Sequence, residues 1–175
     1  MDLYTSIFDL IDLRSFSNLW FWIVLGVMWA SASYWVLGVP FDMVVRAKRQ
    51  GGDAMRDLED MVRINTGRML MTTRASALWL LGLGCFVLTG LALLGFAYRI
   101  EFAQALFLLG FPMSIVALIS VSTARHARDI EGDGAQLCRR LTRHRLYVQL
   151  TGVVSIFATA LWGMYQNLSV SVLGG

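Results

Sequence analysis

Residues 75–124 read ASALWLLGLGCFVLTGLALLGFAYRIEFAQALFLLGFPMSIVALISVSTA, and only Arg99 and Glu101 among them carry a charge. Two apolar runs of about 23 residues each, 75–97 and 102–124, flank this charged pair. At a rise of about 1.5 Å per residue, each run is long enough to cross a hydrocarbon layer of about 30 Å. Because lipid offers no partner to backbone N–H and C=O groups, a continuous run of this kind has to be helical. The stretch therefore predicts a transmembrane helical hairpin with a very short turn.

The composition indicates one membrane domain, residues 1–175. Hydrophobic residues make up 57% of the chain and charged residues 15%, which places it outside the range of soluble domains. No Pro/Gly/Ser-rich linker divides the sequence into two units. Cys85 falls in an apolar run and Cys138 in a basic segment, so we predict no disulfide framework.

Two further apolar runs, 19–39 and 146–166, complete the predicted fold. Aromatic residues stand near both edges of the run 19–39, as is typical of headgroup level, and Pro40 follows it. Residues 2–17 carry apolar and acidic side chains on different sides, which predicts an amphipathic helix in the membrane interface. We therefore expect an all-α integral membrane four-helix bundle with short amphipathic interfacial helices. The predicted spans are residues 19–39, 75–97, 102–124 and 146–166.

Two rows of side chains predict contact surfaces. Small residues recur every four positions along the fourth predicted span, at Thr151, Ser155, Thr159 and Gly163. Because small side chains let neighbouring helices approach closely, this row predicts a helix-packing seam. The connection 41–74 contains a predicted surface helix that begins near Asp53. Its apolar stripe is a candidate surface for a cytoplasmic partner and consists of Met55, Leu58, Val62 and Met69.

The basic residues predict the orientation of the chain. The connections 41–74 and 125–145 contain 13 of the 15 Lys and Arg residues. By the positive-inside rule both connections are cytoplasmic and both termini are periplasmic, in a bacterial inner membrane. The positive-inside rule is enough to explain why the chain has more basic than acidic residues. In addition, no basic stretch is interleaved with exposed aromatic residues, as a nucleic-acid-binding surface would require. We therefore predict no nucleic-acid binding.

Ionisable groups are missing from the four predicted spans, which contain no Asp, Glu, Lys, Arg or His. The polar groups in these spans are hydroxyls and a few amides, among them that of Gln104. Most membrane chemistry uses an ionisable group at depth. The pattern therefore argues against a proton-coupled carrier, an intramembrane protease, a haem held between spans and a phosphoalcohol transferase. We predict that the protein is not an enzyme and has no cofactor.

Two patterns resemble metal sites without completing one. Asp129 begins a segment with the first positions of a calcium loop, but Arg140 stands where a bidentate Glu is required. His126, Cys138 and His144 fit no standard zinc spacing. We therefore predict no bound metal.

Three stretches, at 15–22 (SFSNLWFW), 35–42 (WVLGVPFD) and 61–65 (MVRIN), resemble a family of small four-span bacterial inner-membrane proteins. Members of that family often carry a label as a component of the Suf iron–sulfur assembly complex. The resemblance covers most of the chain and implies a four-span fold with a cytoplasmic partner, but it brings no catalytic motif. The small membrane subunit of tripartite carboxylate transporters is similar in size and span count, although its termini are expected inside.

These patterns lead to two hypotheses of function. The first is a non-catalytic accessory, assembly or stabilising subunit of a larger bacterial inner-membrane complex. Its partners would be the lipid bilayer and either another membrane protein or further copies of the same chain. The alternative is a small membrane subunit of a transporter, or a small carrier. In that case a kink at Pro112 and the hydroxyls of the third and fourth spans would line a path.

Overall fold

The computed structural model describes residues 16, 18–128, 130 and 132–173. Except for Phe16, the predicted interfacial helix 2–17 lies outside the described residues. Most of the described chain is helical, with one small hairpin. The elements in chain order are α1 (Leu19–Tyr34), β1 (Trp35–Val36), β2 (Val39–Pro40), α2 (Phe41–Gln50), α3 (Gly52–Ala92), a π-helical turn (Leu93–Ala97), α4 (Glu101–Arg128) and α5 (Gly134–Leu173).

Three of these helices are long and apolar enough to cross a membrane. They are α3 together with its π-helical turn, α4 and α5, and they contain the predicted spans 75–97, 102–124 and 146–166. Helix α1 is apolar but has only 16 residues. At about 1.5 Å per residue it is about 24 Å long, which is shorter than a hydrocarbon layer of about 30 Å. Within the first predicted span, residues 19–39, the helix ends at Tyr34 and does not reach residue 39.

A tight hairpin replaces the end of that predicted span. Val36 pairs with Val39 in an antiparallel ladder, and both side chains are buried. The turn residues Leu37 and Gly38 have φ angles of 53° and 75°, as a two-residue hairpin turn of type I′ requires. The Asn65 side chain donates a hydrogen bond of 3.0 Å to the carbonyl oxygen of Gly38. The hairpin is therefore attached to α3, and α2 starts directly after its proline.

Helices α3 and α5 are each about twice as long as one membrane crossing. They contain 41 and 40 residues, so both measure about 60 Å. The charged residues 52–74 belong to the same continuous helix as the second predicted span, and residues 134–145 belong to the same helix as the fourth. Each helix therefore extends well beyond its apolar part.

The larger hydrophobic core lies among these charged helix ends. We call this end of the molecule, residues 41–74 and 125–145, the basic head. Its interior joins the hairpin, α2, α3, α4 and α5. The core residues include Val36, Val39, Val44, Ala47, Leu58, Val62, Leu70, Ala124, Ala127, Leu137, Cys138 and Leu141. A second, smaller core attaches α1 to α4 and α5 through Leu25, Trp29, Val116 and Val148.

Candidate functional site

The predicted seam lies on a part of α5 that approaches α1 closely. Ser155, Thr159 and Gly163 are buried, and Thr151 is half-buried. A Cβ atom built on Gly163 would meet the Phe16 and Trp22 rings at 3.4 Å. The side-chain oxygens of Ser155 and Thr159 are buried without a hydrogen-bond partner among the described residues.

Among the glycines of α5, the one closest to α1 is Gly152, which the predicted row does not include. A Cβ atom at this position would lie 2.8 Å from the Trp29 ring, so only glycine fits there without a shift. The predicted row omits Gly152 because the row starts at Thr151 and includes only every fourth residue after it. A signal was nevertheless available, since glycine is the smallest residue in that part of the span.

The candidate partner surface on α3 is an internal contact. Leu58 and Val62 are buried in the core of the basic head, and Met55 and Met69 pack against that core. A Cβ atom at Gly134, the first residue of α5, would lie 2.6 Å from the Met55 side chain. The chain's own helices therefore cover this stripe, because α3 and α5 continue past their apolar parts and pack on each other.

A buried polar cluster joins three elements at the opposite end of the bundle. Gln104 is only 2% exposed, and its Nε2 donates to the Gly95 carbonyl oxygen at 2.8 Å. Its Oε1 accepts a hydrogen bond of 2.9 Å from the Trp162 indole N–H and another from the Gln166 amide. The amide of Gln104 is thus hydrogen-bonded at both its oxygen and its nitrogen. The cluster fixes the turn between α3 and α4 to α5.

The π-helical turn brings Gly95 close to Gln104. Its wider winding is marked by a hydrogen bond of 3.2 Å from the Tyr98 N–H to the Leu93 carbonyl oxygen, five residues back. A Cβ atom at Gly95 would lie 2.9 Å from the Gln104 backbone nitrogen. The sequence signals for this contact are the lone amide in an apolar run and a glycine just before the turn. Neither one identifies its partner.

A serine and a histidine meet between α4 and α5 at the edge of the basic head. The His144 Nε2 atom lies 3.1 Å from the Ser120 hydroxyl oxygen, which also lies 2.8 Å from the Val116 carbonyl oxygen. Which of the two groups donates in the Ser120–His144 contact depends on the tautomer of the imidazole, and its Nδ1 is buried without a hydrogen-bond partner among the described residues. His144 lies just outside the predicted span 146–166, and burial lowers its pKa, which favours the neutral ring.

This pair lacks the third group that orients the base beside an activated nucleophile, because no described residue forms a hydrogen bond with the Nδ1 atom of His144. The contact joins α4 to α5 where the apolar and charged parts of the two helices meet.

The residues weighed as metal ligands are separated in the structure. His144 pairs with Ser120, Cys138 is buried in the core of the head, and His126 is exposed on α4. Within the described ranges, no group of three or more His, Cys, Asp or Glu side chains is placed to hold a metal ion.

The apolar half of α3 is the least covered of the three long apolar segments. None of its most apolar 18-residue window is buried, against 17% and 28% of the corresponding windows of α4 and α5. Leu78, Trp79 and Phe86 are 85%, 84% and 76% exposed. Among the described residues, no atom lies within 4 Å of a Cβ atom built on Gly82 or Gly84. This half of the helix therefore presents an exposed apolar surface, in which two glycines leave the backbone uncovered by side chains.

Comparison with known proteins finds no relative. A scan against protein-family models, a search of curated proteins and a search of solved structures each returned no match for this chain. The resemblance to the Suf-labelled membrane proteins stays a prediction.

Proposed function

We propose that the protein is a non-catalytic accessory, assembly or stabilising subunit of a larger complex in the bacterial inner membrane. The observation that carries this proposal is the open apolar half of α3, residues 75–92. Helices α4 and α5 each bury part of their apolar window within the chain, whereas the window of α3 buries none. We infer that this helix completes its packing against a membrane helix of another subunit.

One face of α3 suits such a contact. At about 3.6 residues per turn, Gly82, Cys85 and Thr89 share a face, and bulky exposed residues border it. On the other side, Leu88 approaches Gly110 of α4, with the Leu88 Cδ2 3.6 Å from a Cβ built on that glycine. The face centred on Gly82 therefore points away from the bundle. We call it the outer face of α3, and it consists of Leu78, Trp79, Gly82, Cys85, Phe86 and Thr89.

The small residues favour a protein neighbour over lipid at the centre of this face. In a bilayer, lipid tails surround an apolar side chain as well as protein does, so burial alone does not drive helices together. Close packing at small residues does, because it lets two backbones approach and increases their van der Waals contact. Gly82 lies at the centre of the outer face, and a Cβ built on it meets no atom of the described residues within 4 Å.

Copurification tests this role with a matched pair of variants. The protein is tagged at the N-terminus at its native level, gently solubilised, and analysed by mass spectrometry for stoichiometric partners. Gly82→Leu fills the outer face and should release the partner. Gly84→Leu makes the same change on the side of α3 that faces the bundle, at a position where a built Cβ meets no described atom within 4 Å, and should keep the partner. Recovery of the wild-type chain alone, or equal behaviour of the two variants, would contradict the proposal.

We also propose a four-span topology in which α1 is the first crossing and both termini are periplasmic. The basic head carries 13 basic residues against 8 acidic ones, which favours the cytoplasmic side. The 16-residue α1 can cross if the bilayer thins locally, at a modest cost per ångström.

Reporter fusions test the topology. A reporter that matures only in the cytoplasm should stay dark when fused before Met1 or after Gly175. The same reporter inserted at Gly132, in the turn of the basic head, should be bright. With three crossings the two termini would lie on opposite sides of the membrane, so one bright terminal fusion would overturn the four-span arrangement.

A role in transport is the second candidate, because a groove lies beside Pro112. This apolar groove between α4 and α5 has a volume of about 580 Å³ and includes Thr151 and Ser155 in its lining. If it forms part of a path, Pro112→Ala should change uptake of the transported compound while the protein level stays the same. A strain that lacks the gene would be compared with the same strain after the gene is restored. If the two strains take up the same compounds at the same rates, the transport role is excluded.

A further inference from the structure

A cleft of about 520 Å³ lies where the spans meet the basic head. The end of α1, one side of α2 and Arg145 of α5, the residue before the fourth predicted span, line it. Three arginines line this cleft together with a single acidic residue, Asp42. The arginines are Arg46, Arg49 and Arg145.

The Arg145 side chain is held in place by an aromatic ring. Its guanidinium carbon lies 3.9 Å from the centroid of the Phe41 ring, which is within the range of a cation–π contact. Its Nε atom is buried and has no hydrogen-bond partner among the described residues. Helix α2 supplies the other two arginines, which are three residues apart and therefore neighbours on one face of the helix.

Acidic side chains of the chain leave most of this positive charge uncompensated. Asp42 accepts a hydrogen bond of 3.3 Å from the Tyr34 hydroxyl. Arg46 approaches Asp57 at 3.9 Å, but both side chains are more than half exposed, so their ion pair is weak. Within the described part of the chain, neither Arg49 nor Arg145 forms a salt bridge. The cleft therefore offers positive charge and N–H donors to an anion.

The position of the cleft along the helices identifies the source of that anion. Tyr34 ends α1, and the exposed Trp35 follows it. On α5, the exposed Leu146 and Tyr147 come directly after Arg145. Tyrosine and tryptophan are enriched at the level of lipid headgroups, and arginine near a helix end is favoured there too. We therefore expect the cleft to lie at the depth of the lipid phosphates, in the leaflet beside the basic head.

We propose that this cleft binds the phosphate group of an anionic phospholipid. Arginine suits this ligand because its planar guanidinium can donate two parallel hydrogen bonds to phosphate oxygens. The Phe41 and Val45 side chains add apolar lining, which suits the start of the acyl chains. Inorganic phosphate offers the same oxygens but lacks these chains. This site is independent of the outer face of α3, so it can hold whether or not a protein partner is found there.

Native mass spectrometry of the purified full chain in mild detergent tests the site. Phosphatidylglycerol and zwitterionic phosphatidylcholine of equal chain length are added separately, and the fraction of lipid-bound protein is measured. The phosphate is common to both lipids, but the choline cation of phosphatidylcholine would be repelled by the three arginines of the cleft. We therefore expect phosphatidylglycerol to bind at least about tenfold more tightly. Equal binding of the two lipids would overturn the proposal, and so would displacement of phosphatidylglycerol by inorganic phosphate at the same concentration.

Two variants and a matched control locate the binding. Arg49→Gln and Arg145→Gln should each weaken phosphatidylglycerol binding by roughly tenfold. Arg143→Gln removes the same charge from an exposed position on α5 outside the cleft and should leave binding unchanged. Arg49 is exposed, so its replacement gives a clear result even if Arg145→Gln disturbs the contact with Phe41. An equal loss in all three variants would show a diffuse charge effect and contradict a defined site.

Discussion

The two halves of helix α3 differ in burial. Residues 52–70 include the buried side chains of Leu58, Val62, Thr66 and Leu70, whereas residues 75–92 include no buried side chain. Both halves are rich in apolar side chains. The first half packs inside the basic head, where water drives such side chains inward. The second half is the most continuous apolar run of the helix, and lipid is an adequate neighbour for it. High hydropathy therefore identifies a crossing, but it does not say which of its side chains are in contact with protein.

The largest expected difference between the two halves is in the effect of truncating a leucine. Leu58→Ala removes a fully buried side chain from the core of the head and should lower the free energy of unfolding by about 2–5 kcal/mol. Leu81→Ala makes the same change at a position that is 59% exposed and should stay within about 0.5 kcal/mol of wild type. Denaturant unfolding in mixed micelles measures both, and equal losses would show that the exposed half is packed within the chain.

A smaller difference is expected between two glycines near the end of the helix. Gly95→Ala places a Cβ 2.9 Å from the Gln104 nitrogen and should cost about 1–3 kcal/mol. Gly90→Ala meets no atom of the described chain within 4 Å and should be neutral or stabilise the helix by about 0.5–1 kcal/mol. The same unfolding assay compares them. If Gly95→Ala were neutral, the polar cluster would not be the rigid attachment described above.

The smallest effect concerns the pH dependence of stability. Burial lowers the pKa of His144 below its ordinary value of 6.5, so the unfolded chain binds the proton first as the pH falls. The stability is therefore fully present above pH 6.5 and should decrease as the pH is lowered below that value. Thermal melting between pH 7.5 and pH 5, at constant ionic strength, should show a loss that His144→Gln reduces. His126→Gln, at an exposed position, should retain it, and a loss of the same size in His144→Gln would show that other groups cause it.

The parts of the fold that the sequence predicted well are the long apolar helices, whose structure follows from the need to pair backbone N–H and C=O groups. The runs 75–97, 102–124 and 146–166 are helical because an apolar segment of that length has no other way to pair its backbone in lipid. The hairpin at 35–40 was missed because its two valines sit in a run that also suits a helix, and its attachment depends on Asn65, far along the chain.

The functional surfaces were harder to predict because they depend on helix length and direction. The stripe around Leu58 has the amphipathic pattern of a free surface, but α5 continues through the basic head and covers it. Gln104 was visible as a lone amide, whereas its partners Trp162 and Gln166 are about 60 residues away in sequence. The basic cleft likewise combines α2 with Arg145 of α5, and charge counting along the sequence does not bring them together.

Photo-crosslinking along α3 in native membranes tests directly whether the exposed apolar half of this helix contacts another polypeptide. A photoreactive residue would replace Leu78 or Phe86 on the outer face, with Leu80 on the opposite side as the control. The proposal predicts adducts with a second polypeptide from Leu78 and Phe86, and their mass would distinguish another protein from a second copy of this chain. It predicts no such adduct from Leu80. Adducts with lipid alone at all three positions would contradict it, because the open half of α3 would then be covered by the bilayer and not by a subunit.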